Sequence, residues 1–252
     1  QWTEGWPYGL AMGDLDGDDE VELAMSGDRG FLWVVDTETP EIYVGRDMTY
    51  DEAEWYVDVG AKTGGGTLEN TWGLTFGQFD DDEAMEVAVG SKQGWIAVFD
   101  GETEELQWKY DMDGSSGSDS LCYSLLSADL DGDDIDELIV PQQNKLTIFV
   151  DGDRDVRIED TSVKSGYGLA NEDLFGNSNE ELVVVDGSGN LRIMGLAGSS
   201  LTTYQDWSGG YPMNTGAGVT ISMNGHGNPW IVNGSDAGII VAWEVPSQTN
   251  NE

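Results

Sequence analysis

The sequence repeats one pattern, an acidic loop followed by an apolar strand, five times along its 252 residues. The two best preserved copies are GDLDGDDEVELAM at residues 13–25 and ADLDGDDIDELIV at residues 128–140. Three weaker copies begin at Gly77 (GQFDDDEAMEVAV), Glu172 (EDLFGNSNEELVV) and Ile221 (ISMNGHGNPWIV). A repeat length of roughly 45 to 60 residues is typical of propeller blades and of solenoid arrays. The chain is therefore expected to fold as a set of similar units.

Each unit reads as four short strands separated by turns. An aromatic, small and apolar triplet comes first, as in Tyr8-Gly9-Leu10, and the acidic loop starts six residues after the aromatic residue. Short strands at this spacing predict an all-β fold, and four antiparallel strands per repeat predict blades around an axis. We predict one β-propeller domain over residues 1–246, with five blades at about residues 7–60, 70–112, 121–160, 166–207 and 215–245.

The two ends of the chain predict how the ring closes. The fifth unit stops after its third strand, and QWTEGWPYG (1–9) is similar to YQDWSGGYP (204–212), which contains the fourth strand of unit four. We expect residues 1–6 to pair beside residues 239–243, because closure removes exposed sheet edges. The alternative is a larger ring to which this chain contributes five blades. EIYVG (41–45) is the predicted fourth strand of unit one, and residues 247–252 read as a polar tail or linker.

The charge of the chain is extreme, with 49 acidic residues, 10 basic residues and a formal net charge of −39. The acids are spread along the whole chain, which argues against nucleic acids and anionic membranes as partners because both require a basic surface. Such a surface repels itself at low ionic strength, and salt screens the repulsion. We expect a protein adapted to high salt and located outside the cell, secreted or on a surface, with a halophilic archaeon or its virus as a fitting source. The alternative is an ordinary acidic secreted protein.

Cysteine and histidine each occur once, as Cys122 and His226. A single cysteine excludes a disulfide framework and a thiolate metal site. A single histidine, here flanked by glycines as in a turn, argues against a zinc site and a Ser-His-Asp triad. Because the chain starts at Gln1, we expect a processed product or part of a longer polypeptide. Asn233-Gly234-Ser235 forms a glycosylation sequon, which fits an exported protein.

The acidic loops place carboxylates at alternate positions, counted from the first aspartate. In units one and three, acids occupy positions one, three, five and nine: Asp14, Asp16, Asp18 and Glu22, and Asp129, Asp131, Asp133 and Glu137. Ca²⁺ binds roughly six to eight oxygen atoms, and glycine at position four permits a tight turn. We predict two Ca²⁺ sites here. A third, weaker site is predicted in unit two, where Gln78 replaces the first aspartate but Asp80, Asp82 and Glu86 remain. The alternative for each loop is a solvated acidic turn.

The loop pattern D-x-D-G-D-x-x-x-[DE], followed by an apolar strand in each unit, resembles the FG-GAP repeats of integrin α-subunits and the related VCBS repeats. The resemblance implies a propeller with structural Ca²⁺ in the turn between the first two strands of a blade, away from the usual ligand face. Unit four departs with Phe175 at position three, and unit five lacks the acids, so we expect no full site in either. Unit two is also similar to a PQQ-like propeller repeat, through Gly94, Ala97, Asp100, Thr103 and Trp108.

Aromatic residues are the candidates for a ligand face opposite the acidic loops. They are Tyr8, Trp72, Tyr123 and Tyr167 at the start of the units, Trp55 and Tyr56 in the long segment 46–70, and Trp207 and Tyr211 in the loop 206–214 of unit four. Within 46–70, the stretch EWYVDV is capable of forming a strand. Aromatic rings near carboxylates stack on sugars or hold cationic groups. The alternative for the first four is that they wedge between adjacent blades as part of the core.

These features favour a non-catalytic binding, adhesion or surface-assembly module with a protein or glycan partner at a cell or virion surface. The alternatives are a carbohydrate-active enzyme, meaning a glycosidase or lyase, a lectin-like glycan binder, and a structural spacer. Glycosidases use a pair of carboxylates beside the scissile bond. The predicted inner strands carry few carboxylates, so we assign no catalytic residue and no cofactor other than Ca²⁺.

Overall fold

The fold is all-β, as the sequence predicts. The computed structural model describes residues 7–27, 30–36, 55–60, 70–112, 122, 124–164, 168–207, 216–222, 228–235 and 238–245. Nineteen strands, β1–β19, account for most of these residues, and a short 3₁₀ turn spans Val150–Gly152. Among the helical residues in these ranges, none form a helix of the length and apolarity that a membrane crossing requires.

The strands form five antiparallel sheets in chain order, and each sheet corresponds to one repeat of the sequence. Blade 1 contains β1–β4, at Pro7–Gly13, Glu22–Gly27, Phe31–Asp36 and Trp55–Asp58. Blade 2 contains β5–β8, at Thr71–Gly77, Glu86–Ser91, Trp95–Asp100 and Leu106–Asp111. Blade 3 contains β9–β12, at Leu126–Ala128, Glu137–Pro141, Leu146–Phe149 and Arg157–Asp160.

Blades 4 and 5 continue the same order. Blade 4 contains β13–β16, at Gly168–Glu172, Glu181–Val185, Leu191–Ala197 and Ser200–Trp207. Blade 5 contains β17–β19, at Gly216–Ser222, Trp230–Ser235 and Ile240–Glu244. The predicted fourth strand of this blade, residues 1–6, lies outside the described residues.

The blades stack face to face around their first strands. β1 lies beside β5, β5 beside β9, β9 beside β13, and β13 beside β17. Apolar clusters fill the spaces between blades 1 and 2, 2 and 3, 3 and 4, and 4 and 5. Second strands such as β10 and β14 are buried on both faces, because each face meets a neighbouring blade. This explains why ELIV and ELVVV read as continuous apolar runs rather than as alternating strands.

The fourth strand of blade 1 differs from the prediction. EIYVG, the predicted fourth strand, lies outside the described residues, and β4 is formed by Trp55–Asp58, within the EWYVDV stretch that the sequence indicates as capable of forming a strand. β4 pairs with β3 in the register Phe31 to Asp58 and Val34 to Trp55. Trp55 and Val57 are 4% exposed and belong to the core between blades 1 and 2. The burial of these two side chains favours this segment as the edge strand.

Candidate metal centres

In blades 1 to 4 an acidic loop connects the first and second strands, and a buried glutamate closes each of these four loops. This glutamate, at loop position nine, is the first residue of the second strand. Its Oε2 accepts a hydrogen bond from the backbone N–H seven residues earlier, at position two. The pairs are Leu15 to Glu22 at 2.6 Å, Phe79 to Glu86 at 2.6 Å, Leu130 to Glu137 at 2.8 Å and Leu174 to Glu181 at 2.9 Å. The glutamates therefore have a structural role in all four loops.

The aspartate at position one organises the turn through backbone N–H groups. In unit one, Asp14 Oδ1 accepts hydrogen bonds from Gly17 at 3.0 Å and Asp18 at 3.1 Å, and Oδ2 accepts one from Asp19 at 3.0 Å. Asp129 and Asp173 make the same three contacts in units three and four. The position-four glycines have positive φ, 78° at Gly17 and 84° at Gly132, which favours glycine there.

Carboxylate oxygens converge in the loops of units one, two and three. In each cluster, one oxygen per residue lies within 4.8 Å of the others: Asp14, Asp16 and Asp18; Asp80, Asp82 and Glu86; Asp129, Asp131 and Asp133; and Asp131, Glu137 and Asp151. These clusters include all the predicted metal ligands except Glu22. In unit one, Asp16 Oδ1 is shielded from solvent and has no hydrogen-bond partner, which leaves this acceptor available for a cation.

In unit two, amide side chains occupy places around the acidic cluster. Gln78, at position one, donates from Nε2 to the backbone carbonyls of Asp80, at 2.8 Å, and Asp82. Gln107 of β8 donates to Asp80 Oδ2 at 3.0 Å. The amide of Gln78 therefore stabilises the turn by donating to loop carbonyls, whereas the aspartate at position one of the other loops accepts from loop N–H groups. This arrangement leaves Asp80, Asp82 and Glu86 close together.

Burial and mutual repulsion make these carboxyls hard to ionise. Burial, with a smaller contribution from the negative charges of Asp80 and Asp82, raises the pKa of Glu86 to about 8. Burial and the charge of Asp131 raise the pKa of Glu137 to about 8. The pKa of Asp16 is also raised, first by burial and then by the charge of Asp18. Glu86 and Glu137 therefore hold a proton near neutral pH or require a cation to compensate their charge.

One acidic residue of these clusters, Asp151, was not among the metal ligands predicted from the sequence. It follows β11, adopts a positive φ of 48°, and its backbone N–H lies 3.5 Å from Glu137 Oε1. The third strands of units one, two and three all end in aspartate or lead into it: FLWVVD, WIAVFD and LTIFVD. In blades 1 and 2 these residues, Asp36 and Asp100, pair directly with Glu22 and Glu86. Units four and five, which have no predicted Ca²⁺ site, lack this aspartate. An aspartate at the end of the third strand is therefore the sequence signal that could have identified Asp151.

The acidic loops also connect neighbouring blades through their backbones. Met85 N–H donates to the carbonyl of Leu15 at 2.9 Å, which links blade 2 to blade 1. Asp136 N–H donates to Gln78 at 2.7 Å, and Glu180 N–H donates to Asp129 at 2.9 Å. The loops of blades 2, 3 and 4 therefore each bond to the loop of the preceding blade, so their conformation is coupled to the stacking of the blades.

The opposite ends of the first strands carry two of the candidate ligand-face aromatics. Tyr8 of blade 1 and Trp72 of blade 2 meet edge to face, with ring centroids 6.0 Å apart, and Lys92 Nζ lies 5.5 Å from the Trp72 ring. The pair thus bridges two blades, as the core alternative proposed, while Tyr8 remains 51% exposed. Tyr123, Tyr167 and Tyr211 lie outside the described residues.

Three other candidates contribute to packing instead of a ligand-face loop. Trp55 is buried in β4 against Phe99, at a centroid distance of 6.3 Å. Tyr56 packs on Trp33 at 4.7 Å. Trp207 ends β16 and packs on Trp243 of blade 5 at 6.4 Å. These residues lie in or at the end of strands rather than in loops, where their rings bury more apolar surface.

Two sequence motifs also have structural roles. Asn233 of the glycosylation sequon lies within β18 and is fully buried, so the folded chain does not present its side chain at the surface. In the PQQ-like motif, Gly94 forms the turn before β7 with φ of 81°, and Asp100 Oδ1 accepts a hydrogen bond from Thr103 N–H at 2.7 Å. Trp108 packs on Phe149 of blade 3 at 5.3 Å.

No known protein family and no curated protein matches this sequence. Solved structures do match its fold. A chain in the crystal structure of the mitotic checkpoint complex superposes with a TM-score of 0.64 at 11% identity, over 95% of this chain and 64% of that chain. A chain in the crystal structure of BBS1N in complex with ARL6DN superposes with a TM-score of 0.62 at 10% identity, over 96% and 66%.

The fold is a β-propeller. Both neighbours are propeller proteins, and the propeller predicted from the repeats is confirmed. The propeller described here spans about two thirds of the length of either neighbour. At this level of identity the likeness establishes the fold alone.

Proposed function

We propose that this chain is a non-catalytic binding module, a propeller stabilised by Ca²⁺ in the loops of units one, two and three. The observation that carries the calcium part is the convergence of carboxylate oxygens to within 4.8 Å in each of these loops. Two oxygens that bind one Ca²⁺ at about 2.4 Å are at most about 4.8 Å apart. The spacing of the carboxylates therefore fits a shared ion.

Calcium at these positions would stabilise the contacts between blades. It would accept electron pairs from Asp16 Oδ1, which has no hydrogen-bond partner, and compensate the charge of Glu86 and Glu137, which are fully buried. Because the loops of blades 2, 3 and 4 are each hydrogen-bonded to the loop of the preceding blade, holding the loops in shape also holds the blades together. Backbone carbonyls and water would complete the coordination, as is usual for Ca²⁺.

The proposed location is extracellular, secreted or on the surface of a cell or virion, in a salt-rich medium. The formal net charge of −39 supports this location, because high ionic strength screens the repulsion among the carboxylates. Extracellular calcium modules bind the ion at about 10⁻⁴ to 10⁻³ M. Loops whose aspartates are partly open to solvent fit this affinity range.

The proposed partner is a protein or a glycan bound on the face opposite the acidic loops. Tyr8, half exposed beside Trp72, marks this face. Both structural neighbours occur in protein complexes, the mitotic checkpoint complex and the complex of BBS1N with ARL6DN, which favours a protein. The second candidate function, a carbohydrate-active enzyme or lectin-like module, would use the same face.

Calcium titration of chelator-treated protein tests the metal sites. We expect heat release on Ca²⁺ addition and a higher melting temperature, and a weaker response in Asp16→Asn. The matched control is Asp19→Asn, which removes one charge from the same loop but lies outside the cluster. Asparagine also tolerates the positive φ of Asp19, 71°. An equal response to Ca²⁺ in both variants, or no binding in the unmutated protein, would contradict the proposal.

Glycan arrays and binding to surface-protein extracts test the partner face. We expect binding without cleavage, weakened in Tyr8→Ala and unchanged in Val156→Ala, which also truncates an exposed apolar side chain but on blade 3. Release of shorter sugars from a polysaccharide would favour the enzyme. Binding that is insensitive to Tyr8→Ala would place the partner elsewhere.

A further inference from the structure

The residue at loop position eight, just before the position-nine glutamate, holds the preceding acidic loop in blades 3 and 4. In unit three this residue is Asp136, and it contacts Gln78, at position one of unit two. Its N–H donates a hydrogen bond to the Gln78 carbonyl at 2.7 Å, and its Oδ2 accepts one from the Gln78 N–H at 3.1 Å. Asp136 thus binds both backbone groups of one residue in the preceding loop. We call this pair of hydrogen bonds a clip.

Glu180, at position eight of unit four, forms a second clip on Asp129, at position one of unit three. Its N–H donates to the Asp129 carbonyl at 2.9 Å, and its Oε2 accepts the Asp129 N–H at 3.2 Å. The side-chain amide of Asn171 donates to the same Oε2 at 2.6 Å, which fixes the carboxylate. The same contact is therefore formed at two interfaces, by aspartate in blade 3 and by glutamate in blade 4.

Each clip contacts the peptide group that also binds the position-nine glutamate of the preceding loop. The Gln78 carbonyl and the Phe79 N–H belong to one peptide group, and that N–H donates to Glu86 Oε2 at 2.6 Å. On the other side of the clip, Asp136 is followed directly by Glu137, the position-nine glutamate of unit three. A hydrogen bond accepted by a peptide carbonyl polarises the group and strengthens the bond that its N–H donates. One peptide group therefore connects the glutamates of two adjacent loops.

The two connected glutamates both belong to carboxylate clusters. Glu86 lies in the cluster of the unit-two loop, and Glu137 lies in the cluster formed with Asp131 and Asp151. Both glutamates are 0% exposed, so neither carboxylate can leave its cluster for solvent unless the loop around it opens. Opening of the unit-three loop would also move Asp136 and release the clip. The order of one loop is therefore linked to the order of the next.

Units two and five cannot form this clip on the loop that precedes them. In unit two, position eight is Met85, whose N–H donates to the carbonyl of Leu15, at position two of unit one, at 2.9 Å. Its thioether side chain is only a weak acceptor. In unit five, position eight is Pro229, which has no N–H to donate. The clips therefore connect units two, three and four, and the two clustered loops that they join directly are those of units two and three.

We propose that Asp136 is a positioning residue that makes Ca²⁺ binding in units two and three cooperative. The coupling rests on the proposed function, since it requires Ca²⁺ in both loops. An ion in the unit-three loop fixes Glu137 and the residue before it, and the clip then holds the peptide group that positions Glu86. The second ion binds to a loop that is already ordered, so its binding loses less conformational entropy. By linkage, each ion raises the affinity for the other by the same factor.

Calorimetric titration with Ca²⁺ measures the coupling in a protein that carries Asp16→Asn to weaken the unit-one site. Adding Asp82→Asn weakens the unit-two site, while the asparagine oxygen can still accept the Ala84 N–H, as Asp82 Oδ1 does at 2.9 Å. We expect Asp82→Asn to lower the affinity of the unit-three site about fivefold, which is at the lower end of usual coupling between sites. When Asp136→Ala is also present, Asp82→Asn should leave that affinity unchanged.

Two further variants separate positioning from charge and from general loosening of the fold. Asp136→Asn removes the charge but keeps an oxygen that accepts the Gln78 N–H, so the fivefold effect of Asp82→Asn should return. Glu180→Ala removes the clip between blades 3 and 4. Because no Ca²⁺ site is proposed in unit four, the coupling between units two and three should persist in this variant.

The possible results distinguish the coupling from the calcium sites themselves. If Ca²⁺ binds but Asp82→Asn has no effect on the unit-three affinity, or has the same effect with Asp136 as with Asp136→Ala, the coupling is overturned and the calcium sites stand. Loss of the coupling in Glu180→Ala would also overturn the role assigned to Asp136. If no variant, including the unmutated protein, binds Ca²⁺, both the coupling and the proposed calcium sites are wrong.

Discussion

Single carboxyl groups couple this fold to pH. The position-nine glutamate is buried in each of the four closed loops, and it accepts a hydrogen bond from the position-two backbone N–H there. That hydrogen bond favours the charged form, but burial opposes it and prevails, so the pKa rises in every case. Where Ca²⁺ is proposed, the ion would supply the missing positive charge. In unit four Phe175 replaces one of the loop acids and no Ca²⁺ site is proposed. Glu181 therefore allows the effect of its proton on stability to be measured without a contribution from metal binding.

The stability of the calcium-loaded protein should fall as pH rises through 7, in part because of Glu181. Burial, with the charge of Asp173, raises the pKa of Glu181 from 4.5 to about 7. The folded protein therefore binds this proton more tightly than the unfolded chain does. The resulting stabilisation is present in full below pH 4.5 and is lost as pH rises through about 7; it amounts to about 3 kcal/mol.

Urea denaturation of Glu181→Gln at pH 5 and pH 8 measures this contribution. Between pH 5 and pH 8 we expect the free energy of unfolding of the variant to change by about 2.5 kcal/mol less than that of the unmutated protein. Glutamine keeps an oxygen that accepts the Leu174 N–H. Glu102→Gln, at an exposed position, is the control for the removal of one carboxylate without burial. Identical pH profiles for Glu181→Gln and the unmutated protein would rule out this role of Glu181.

At the scale of the elements, a blade is defined by how closely its first strand approaches the next. In blades 2 to 4 the loop after that strand bonds to the loop of the preceding blade. In blades 1, 2 and 4 a glycine within the strand, Gly9, Gly73 or Gly168, lies against an aliphatic side chain of the following blade. Both contacts depend on the backbone spacing of neighbouring sheets. Substitutions at the glycine therefore report directly on whether a neighbouring blade is present.

Gly73→Ala should destabilise the protein, whereas Gly218→Ala should not. The new Cβ at position 73 would lie 2.8 Å from Leu125 Cγ, and overpacking of this kind costs about 1–3 kcal/mol. At position 218 no described atom lies within 4 Å, so alanine there stabilises slightly by restricting the unfolded chain. Thermal denaturation of both variants of residues 1–252 measures the difference. Equal destabilisation would mean that blade 5 already has a neighbour on this side.

At the scale of the whole molecule, charge sets the conditions in which the fold is stable. With 49 acidic and 10 basic residues, repulsion between carboxylates opposes the compact state. Few ion pairs relieve it: among the described residues, those formed are Lys145 with Glu159, Arg154 with Asp155, and Arg192 with Asp186 and Asp206. Ion pairs among the described residues thus offset little of the repulsion, and we expect mobile cations to screen much of the rest.

The melting temperature should rise with NaCl concentration even when calcium is saturating. Between about 0.1 M and 1 M salt the Debye length falls from about 10 Å to about 3 Å, so most repulsion between separate carboxylates disappears. A gain of about 4 kcal/mol would raise the melting temperature by about 10 °C. Circular dichroism during heating measures it, with sucrose as the uncharged control for solute exclusion. A melting temperature independent of NaCl would exclude adaptation to high salt.

The sequence by itself determined the repeat, the all-β class and the internal form of the acidic loops. These are local properties. A glycine at position four permits positive φ, an aspartate at position one accepts nearby N–H groups, and a glutamate at position nine reaches back seven residues. Each interaction joins residues within nine positions of one another, so a short stretch such as GDLDGDDEVE contains all of it.

Only the tertiary structure decided which residues from distant parts of the chain join each blade and each acidic cluster. Trp55–Asp58 became the fourth strand of blade 1 because it buries two side chains against blade 2, and Trp207 lies against blade 5. Asp151 joined the unit-three cluster through a turn 14 residues from Glu137. Leu10 repeats a motif that is buried in other blades, yet it is exposed. Burial depends on surfaces brought together from distant parts of the chain, and no local pattern records which surface faces a given side chain.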